Sequence, residues 1–387
     1  AKLFGHLKIT SPQDLNSHGP FSAFPAIDRT GTLSCGLHVT SLWPIPAFDP
    51  LFDLPLETVM ARRVAELCRK HPKLHIMWSG GIDTTALMVA FLRAIGHSRE
   101  SWEAAGLSVH YCPRSVTENP RFFDHYVRSL PGGFIHGHVR DFLDGKVVVT
   151  GEPADMLFGT TWLSRAFRFP HAEDGEENPM WYALERPWQE VMPAVLRMHG
   201  LLPPEMPGGS EEEQAWLHWI KPFVQRAPIS IVSVFDFSWW VVFALKWQHD
   251  MVRSLLNKSK VTKELWDSVQ HFYVTEEWQQ WSYHNHTQKM TDKGVWASYK
   301  QPLKQYIRDF DNDAEYYAAK IKVPSATYTF GYQLGLDDAL HSIEFGKLSI
   351  SAVRLRQKYG GHLNRFLAIK SSSSGGSEHE SQLNDGA

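Results

Sequence analysis

A glycine-rich loop between a predicted strand and a predicted helix constrains this chain more than any other feature. Residues 74–78 form a short apolar run that is typical of a buried strand, and residues 79–85 then read SGGIDTT. Apolar residues at helical spacing continue to about residue 95. Two glycines let the backbone approach an anion, and a helix start presents N–H groups to it. Because the loop lacks the Gly-Lys-Ser/Thr ending of a Walker A motif, the pattern predicts a phosphate site of another kind.

A second loop carries acidic residues directly after another predicted strand. Residues 146–150 have the apolar character of a strand, and residues 151–159 read GEPADMLFG. Because the carboxyl ends of parallel strands meet at one edge of a sheet, we expect Asp83 and Asp155 to lie close together. Two carboxylates in this arrangement suit one Mg²⁺ ion, and Glu152 lies close enough in sequence to handle a proton or charge.

Strands and helices alternate through the first half of the chain. Helical spacing covers residues 57–70, further strands are predicted at 107–111 and 134–138, and Asn119-Pro120 begins a helix that runs to about residue 130. This alternation predicts an α/β fold with a doubly wound parallel sheet. The predicted organisation is an irregular or hairpin-bearing layer over 1–56, an α/β domain over 57–165, a helical Trp-rich part over 166–370 and a disordered tail over 371–387.

Composition excludes several classes of protein. The 387 residues are 43% apolar and 21% charged, which excludes a disordered or fibrous chain. The formal net charge of −3 gives no global basic field for nucleic acid. The three cysteines form no CxxC pair, so we expect neither a structural zinc site nor a disulfide framework. Residues 227–245 approach bilayer length but contain Asp236, so we predict a buried segment, no membrane association and a cytoplasmic protein.

The two loops together resemble a known family. SGGIDTT is similar to the pyrophosphate-binding loop of the N-type ATP pyrophosphatases, also called PP-loop enzymes. GEPADMLFG resembles the segment that marks the asparagine synthetase and β-lactam synthetase branch of that group. The resemblance covers roughly residues 57–320. It implies an adenine nucleotide alpha-hydrolase-like sheet with a helical C-terminal part, ATP and Mg²⁺ as cofactors, and conversion of ATP to AMP.

The resemblance also implies roles for single residues. Asp83 and Asp155 would bind Mg²⁺, and Glu152 and Lys300 would be catalytic. Lys300 is the candidate because Lys300-Gln301-Pro302-Leu303-Lys304 is similar to the family's K-x-x-L-R pattern. A lysine on a helix surface is otherwise simply solvated. The nucleotide would be bound by the loop residues Ser79, Gly80, Gly81, Asp83, Thr84 and Thr85.

The sequence departs from the asparagine synthetase pattern in two respects. The chain begins with Ala1 and has only about 70 residues before the first loop, so we expect no glutaminase domain and no glutamine as nitrogen donor. Pro153, Met156 and Thr160 replace two glycines and an acidic residue of the second motif. These replacements weaken the prediction of an asparagine synthetase-like substrate more than they weaken the prediction of ATP binding.

Three functions follow from the sequence as expectations. The first is an AMP-forming ligase that adenylates a small-molecule carboxylate, or a carbonyl oxygen, and passes it to ammonia or an amine. The second is a PP-loop enzyme that modifies a nucleobase, with the basic segment 347–370 contacting DNA or RNA; this segment could equally be a solvated helix face. The third is a non-catalytic nucleotide-binding or scaffold protein. The sequence predicts no particular oligomeric state.

Two further patterns have structural and functional interpretations. Residues 239–247 read WWVVFALKW, which predicts a core helix; alternatively they form a wall of the acceptor pocket, with Asp236 or Lys246 facing the substrate. His136 and His138 alternate on a predicted strand and could ligate a metal, although satisfied structural histidines are the more common case.

Overall fold

The computed structural model describes residues 28–32, 43–135, 142–143, 145–159, 184–198, 208–252, 262–293 and 296–320. The predicted tail, the basic segment 347–370, Thr160 and the histidine pair at 136 and 138 lie outside the described residues, as does most of the predicted N-terminal layer.

Five strands form one parallel sheet. They are β1 (Leu74–Met77), β2 (Leu107–Tyr111), β3 (Gly132–Phe134), β4 (Val148–Thr150) and β5 (Val269–His271). Their order across the sheet is β3-β2-β1-β4-β5, and every neighbouring pair is parallel. The α/β architecture predicted from the alternation of elements is therefore confirmed.

Helices flank the sheet and make up most of the rest of the described chain. The first group is α1 (Leu56–Lys70), α2 (Ile82–Ile95), α3 (Arg99–Ala104), α4 (Pro113–Glu118), α5 (Pro120–Phe122, continued by the π-helical turn Phe123–Val127) and α6 (Ala154–Phe158). The second group is α7 (Trp188–Met198), α8 (Glu211–Val224), α9 (Val234–Val241, continued by the π-helical turn Val242–Lys246), α10 (Trp247–Val252), α11 (Lys263–Asp267), α12 (Glu276–His284), α13 (Gln301–Asp311) and α14 (Ala314–Ala319). Short 3₁₀ helices occur at His286–Gln288 and Trp296–Ser298.

Local sequence signals explain where several helices begin. The side-chain oxygens of Ser98, Asn119, Ser233 and Thr275 each accept a hydrogen bond from a backbone N–H of the following first turn. Ser233 also belongs to a capping box, because the Asp236 carboxylate accepts from the Ser233 N–H at 2.8 Å. Asp236 therefore stabilises the N-terminus of α9.

The two faces of the sheet differ in character. Leu74 and Ile76 of β1 are fully buried in the large hydrophobic core, to which α1 and α2 also contribute. The alternate residues His75 and Met77 are only half-buried on the opposite face, because side chains along a strand alternate between faces. Leu143, Val148 and Val269 form a smaller cluster, against which Met77 packs.

The Trp-rich region completes the core. Trp239, Trp240 and Trp247 are fully buried, and the large core cluster extends continuously from α1 to α14. The prediction of a core helix over residues 239–247 is confirmed, although five residues of it are wound as a π-helix. Among the described residues, no helix combines the length and the hydropathy that crossing a bilayer requires.

The fifth strand is the main departure from the predicted architecture. Val269–His271 lies within the segment predicted to be helical, yet it pairs with β4 and forms an edge of the sheet. The third strand also differs, because it covers Gly132–Phe134 rather than beginning at residue 134. The glycines in β3 and the polar Gln270 and His271 in β5 leave no apolar run from which either strand could be predicted.

Candidate functional site

The predicted phosphate loop lies at the point where the order of the strands reverses. From β1 the chain continues outward through β2 to β3 on one side, whereas β4 and β5 lie on the other side. Loops that follow β1 and β4 therefore flank a crevice at the carboxyl ends of the strands, which is the usual ligand position in open parallel sheets. The two loops are in close contact, since a side chain at Gly151 would meet Thr84 Cγ2 at 2.8 Å.

The first loop has a conformation that requires glycine. Gly80 has a φ of +75°, and a Cβ atom there would lie 2.2 Å from the carbonyl oxygen of Ser115. Ser79 is exposed, and its Oγ lies 2.9 Å from Thr84 Oγ1 and accepts from the Gly81 N–H at 3.3 Å. Gly81 caps α2 without a side-chain hydrogen bond, so backbone N–H groups dominate this helix start. The loop thus has the geometry expected of an anion-binding turn.

Thr85 differs from the other loop residues that we predicted to bind the nucleotide. Its side chain is fully buried, and its hydroxyl accepts a hydrogen bond from Trp78 Nε1 at 3.2 Å. Thr84 instead accepts from the Ser79 N–H at 3.0 Å and so remains part of the loop. The structure brings together Ser79, Gly80, Gly81, Asp83 and Thr84, whereas Thr85 packs beneath them.

Asp83 and Asp155 converge, as predicted, and they do so on Lys300. The Lys300 Nζ donates to Asp155 Oδ1 at 2.6 Å and also to Asp83 Oδ1. The lysine side chain is fully buried, while the two aspartate side chains remain 13% and 15% exposed. One buried ammonium group therefore holds two carboxylates that still face the crevice, and the cluster carries a formal charge of −1.

The backbone holds Lys300 in an unusual conformation. Lys300 has a φ of +59°, a left-handed conformation that costs a non-glycine residue about 1–2 kcal/mol. Its N–H donates to the Lys289 carbonyl oxygen at 2.8 Å, and its own carbonyl accepts from the Lys304 N–H at 3.1 Å. Strained non-glycine residues concentrate at functional sites, where surrounding contacts enforce them. This conformation supports a functional role for Lys300.

Glu152 and Tyr273 lie at the edge of this cluster. Glu152 is half-buried, and its backbone N–H donates to Thr150 Oγ1 at 3.4 Å. Asp83 and Asp155 accept hydrogen bonds from Lys300 Nζ, and the catalytic role of Glu152 stays a prediction. Sequence reasoning missed Tyr273, whose hydroxyl donates to the Asp83 carbonyl oxygen at 2.7 Å. Tyr273 lies just beyond β5, so only recognition of that strand could have indicated it.

The donor set fits magnesium bound together with a phosphate. Mg²⁺ prefers oxygen ligands and commonly uses one or two carboxylates plus phosphate oxygens and water. Asp83 and Asp155 supply two such carboxylates, and they already converge on a cation. No group of three His, Cys, Asp or Glu residues suited to a metal occurs in the part of the chain that the structure describes. Two carboxylates leave the remaining coordination positions of a Mg²⁺ ion to phosphate oxygens and water.

Lys304, which matches the arginine of the K-x-x-L-R pattern, bonds to the backbone of the segment before Lys300. Its Nζ donates to the Ala297 carbonyl oxygen at 2.6 Å, and burial lowers its pKa to about 8. This hydrogen bond fixes the backbone of the segment that precedes Lys300.

A second buried polar cluster contains the residues that we considered for the acceptor pocket. His286 Nε2 lies 2.9 Å from Asp236 Oδ1, and Lys289 Nζ lies 2.9 Å from His286 Nδ1. A carboxylate only accepts hydrogen bonds, so the proton of the neutral imidazole is on Nε2 and Lys289 donates to Nδ1. Lys246 forms an ion pair with Asp250 at 3.4 Å. Both residues proposed to face a substrate thus have partners inside the protein.

Comparison with known proteins adds no relative. No family model, no curated protein and no solved structure matches this chain. The functional interpretation therefore depends on the geometry of the site and on the two motifs that form it.

Proposed function

We propose that this chain is an ATP-dependent, AMP-forming ligase with an adenine nucleotide alpha-hydrolase-like sheet. The observation that carries the proposal is the convergence of Asp83, Asp155 and Lys300 at the strand-order reversal, next to a glycine loop at the start of α2. Pyrophosphate release needs groups that stabilise developing negative charge. The proposed site offers a phosphate loop, two carboxylates that can bind a metal, and a buried lysine.

In the proposed reaction, a substrate carboxylate oxygen attacks the α-phosphorus of ATP and pyrophosphate leaves. An amine or ammonia then attacks the carbonyl carbon of the acyl-adenylate, so that an amide forms, AMP leaves and the amine loses a proton. Bound Mg²⁺ neutralises charge on the phosphates. Ser79 and the backbone N–H groups at the start of α2 bind the departing pyrophosphate, as helix starts bind anions.

Lys300 has the central catalytic role in this proposal. Its ammonium stabilises the negative charge that develops on the phosphorus and on pyrophosphate, and its burial strengthens that interaction. Asp83 and Asp155 keep the ammonium in position before the nucleotide binds, because both accept hydrogen bonds from Nζ. Tyr273 fixes the backbone of Asp83 from below.

The test is product analysis with ATP, Mg²⁺ and a panel of carboxylates, amines and oligonucleotides. We expect AMP and pyrophosphate, with the rate reduced at least about 100-fold in Asp83→Asn. Asp124→Asn is the matched control, because Asp124 pairs with Arg128 on an exposed surface. Formation of ADP and phosphate, or equal rates in the two variants, would contradict the proposal.

The same experiment separates the alternatives. Turnover that requires an oligonucleotide, together with salt-dependent binding to it, would favour the nucleobase reaction. Binding of MgATP without turnover across the whole panel would favour a non-catalytic nucleotide-binding protein. Turnover with a small carboxylate and ammonia or an amine would favour the ligase.

A further inference from the structure

A single buried tryptophan is connected to both members of the Asp155–Lys300 ion pair. Trp239 lies on α9, and its side chain is fully buried. Its indole Nε1 donates to the carbonyl oxygen of Leu157, two residues after Asp155 on α6, at 3.1 Å. On another side, the Lys289 Nζ lies 4.1 Å from the centroid of the indole ring. Trp239 therefore joins the helix that carries Asp155 to Lys289.

The backbone of Lys289 extends this connection to Lys300. The Lys289 carbonyl oxygen accepts from the Lys300 N–H at 2.8 Å, and the adjacent residues Met290 and Tyr299 form an antiparallel bridge. This pairing holds Lys300 in its left-handed conformation at the start of α13. The Lys300 Nζ in turn donates to Asp155 Oδ1 at 2.6 Å. The result is a closed ring of contacts that runs through Asp155, Leu157, Trp239, Lys289 and Lys300.

Trp239 packs directly on the backbone of α6. Gly159 ends this helix with a φ of +83°, and a Cβ atom there would lie 2.8 Å from Trp239 Cβ. The Gly159 N–H donates to the Asp155 carbonyl oxygen at 2.9 Å. Because no side chain separates the tryptophan from the end of α6, a displacement of Trp239 would be transmitted to the helix that carries Asp155.

The polar cluster in the core holds Lys289 on the indole. The Lys289 Nζ lies 2.9 Å from His286 Nδ1, and His286 Nε2 lies 2.9 Å from Asp236 Oδ1. Asp236 belongs to α9, three residues before Trp239. Lys289 therefore cannot leave the indole without breaking a buried hydrogen bond, which is costly in a core.

We propose that Trp239 is a positioning residue that fixes the Asp155 carboxylate and the Lys300 ammonium relative to each other. This inference rests on the proposed ligase function, in which both groups act on the same nucleotide. Trp239 is fully buried and acts through the two backbones rather than by contact with the substrate. A misplacement of about 1 Å between reacting groups can lower a rate about 100-fold, so the connection should be visible in kcat.

The first test compares Trp239→Phe with Trp240→Phe. Both indoles are fully buried on α9, and each donates to a backbone carbonyl oxygen that also accepts a second hydrogen bond. The two variants should therefore lose similar amounts of stability. We expect kcat for pyrophosphate release to fall at least about tenfold in Trp239→Phe alone, with KM for MgATP unchanged within about twofold. Equal losses of kcat in both variants, or a loss confined to KM, would overturn the proposal.

A second test needs neither turnover nor a tryptophan variant. Nuclear magnetic resonance of the chain with ¹⁵N-labelled tryptophan measures hydrogen exchange at each indole N–H, in the unaltered chain and in Asp155→Asn. Asp83 still compensates Lys300 in this variant, so we expect it to fold. The Trp239 indole should exchange at least about tenfold faster in Asp155→Asn, whereas the Trp240 indole should not change.

The same exchange rate at Trp239 in both chains, or an equal increase at both indoles, would show that Trp239 is not coupled to the ion pair and would overturn the proposal. A chain that releases no pyrophosphate with any substrate would instead refute the ligase function. The exchange comparison remains valid in that case, so the two failures can be told apart.

Discussion

Lys300 and Lys289 are both fully buried and are joined by a backbone hydrogen bond, yet their surroundings differ completely. Lys300 contacts two carboxylates. Lys289 contacts a neutral imidazole, and its Nζ lies 4.1 Å from the Trp239 ring centroid. Burial therefore lowers the pKa of Lys289 well below its usual value. The protein compensates the charge of the lysine at the crevice with two carboxylates, whereas burial disfavours the charged form of the lysine in the core.

The difference between the two buried lysines predicts that Lys300→Met has the largest effect on stability. Removing one member of a buried ion pair leaves uncompensated charge, so we expect the free energy of unfolding to fall by about 3 kcal/mol. Pyrophosphate release should be lost as well. Added Mg²⁺ should restore part of the stability, because it can replace the lysine between the two carboxylates. Urea unfolding with and without Mg²⁺ measures both effects.

The control for this variant is Lys263→Met. Lys263 pairs with Asp267, but both side chains are largely exposed, so the free energy of unfolding should hardly change. Comparable destabilisation of the two variants would show that Asp83 and Asp155 do not depend on Lys300 for compensation.

The next effect is an acid sensitivity that originates near Lys289. Burial, and then the neighbouring Lys289, lowers the pKa of His286 to about 4, below its unfolded value of about 6.5. Between these values the unfolded chain binds more protons, so stability should fall as the pH decreases from 6.5 to 4. We expect His286→Gln to flatten this dependence. The lowered pKa values of His75 and His110 also make stability fall with decreasing pH. The contribution of His286 is therefore the difference between the wild-type and His286→Gln plots of unfolding free energy against pH.

Lys289→Met should have a smaller effect at pH 7, within about 1 kcal/mol. The variant loses the hydrogen bond to His286. This loss is offset because burying an apolar methionine avoids the cost of burying the lysine amine. The pH dependence is more informative. Since the folded pKa of Lys289 lies below its unfolded value of about 10.4, wild-type stability should rise with pH up to that value. An equally steep rise in Lys289→Met would mean that Lys289 is charged in the folded protein.

The smallest effects concern two adjacent threonines. Thr85→Val should cost about 1 kcal/mol of stability, because Trp78 Nε1 loses its acceptor, and should leave MgATP affinity unchanged. Thr84→Val should weaken MgATP binding, because it removes the acceptor of the Ser79 N–H in the loop. Thermal unfolding and calorimetric titration of both variants separate these roles. Equal loss of MgATP affinity in both variants would show that Thr85 belongs to the binding site.

The sequence predicts the parts of the site whose signals are local. The strand at residues 74–78 and the helix from the glycine loop to residue 95 correspond to β1 and α2, because apolar periodicity and glycine spacing are properties of consecutive residues. Asp155 could be placed beside Asp83 once the sheet was predicted to be parallel. Lys300 was indicated only by the family resemblance, since nothing in its neighbourhood shows that it will be buried.

Features that depend on distant pairing could not be predicted. His75 on β1 forms hydrogen bonds with Ser108 and His110 on β2, and these contacts require the register between the two strands, which neither strand encodes alone. The Lys289 cluster requires that α9 meet the turn at residue 286. Thr85 lies within the loop motif, and only the packing of Trp78 shows that its hydroxyl is directed inward.

The late fifth strand has a consequence for the order in which the protein assembles. Thr150 and His271 share a side-chain hydrogen bond although 121 residues separate them in the chain. Until β5 arrives, the edge of β4 is open to other strands, and its Val148 and Val149 are side chains that the finished protein buries completely. High contact order of this kind slows folding. A fragment that ends before β5 should therefore aggregate. During synthesis, this edge of the crevice cannot form until the segment that also leads to Lys300 has been made.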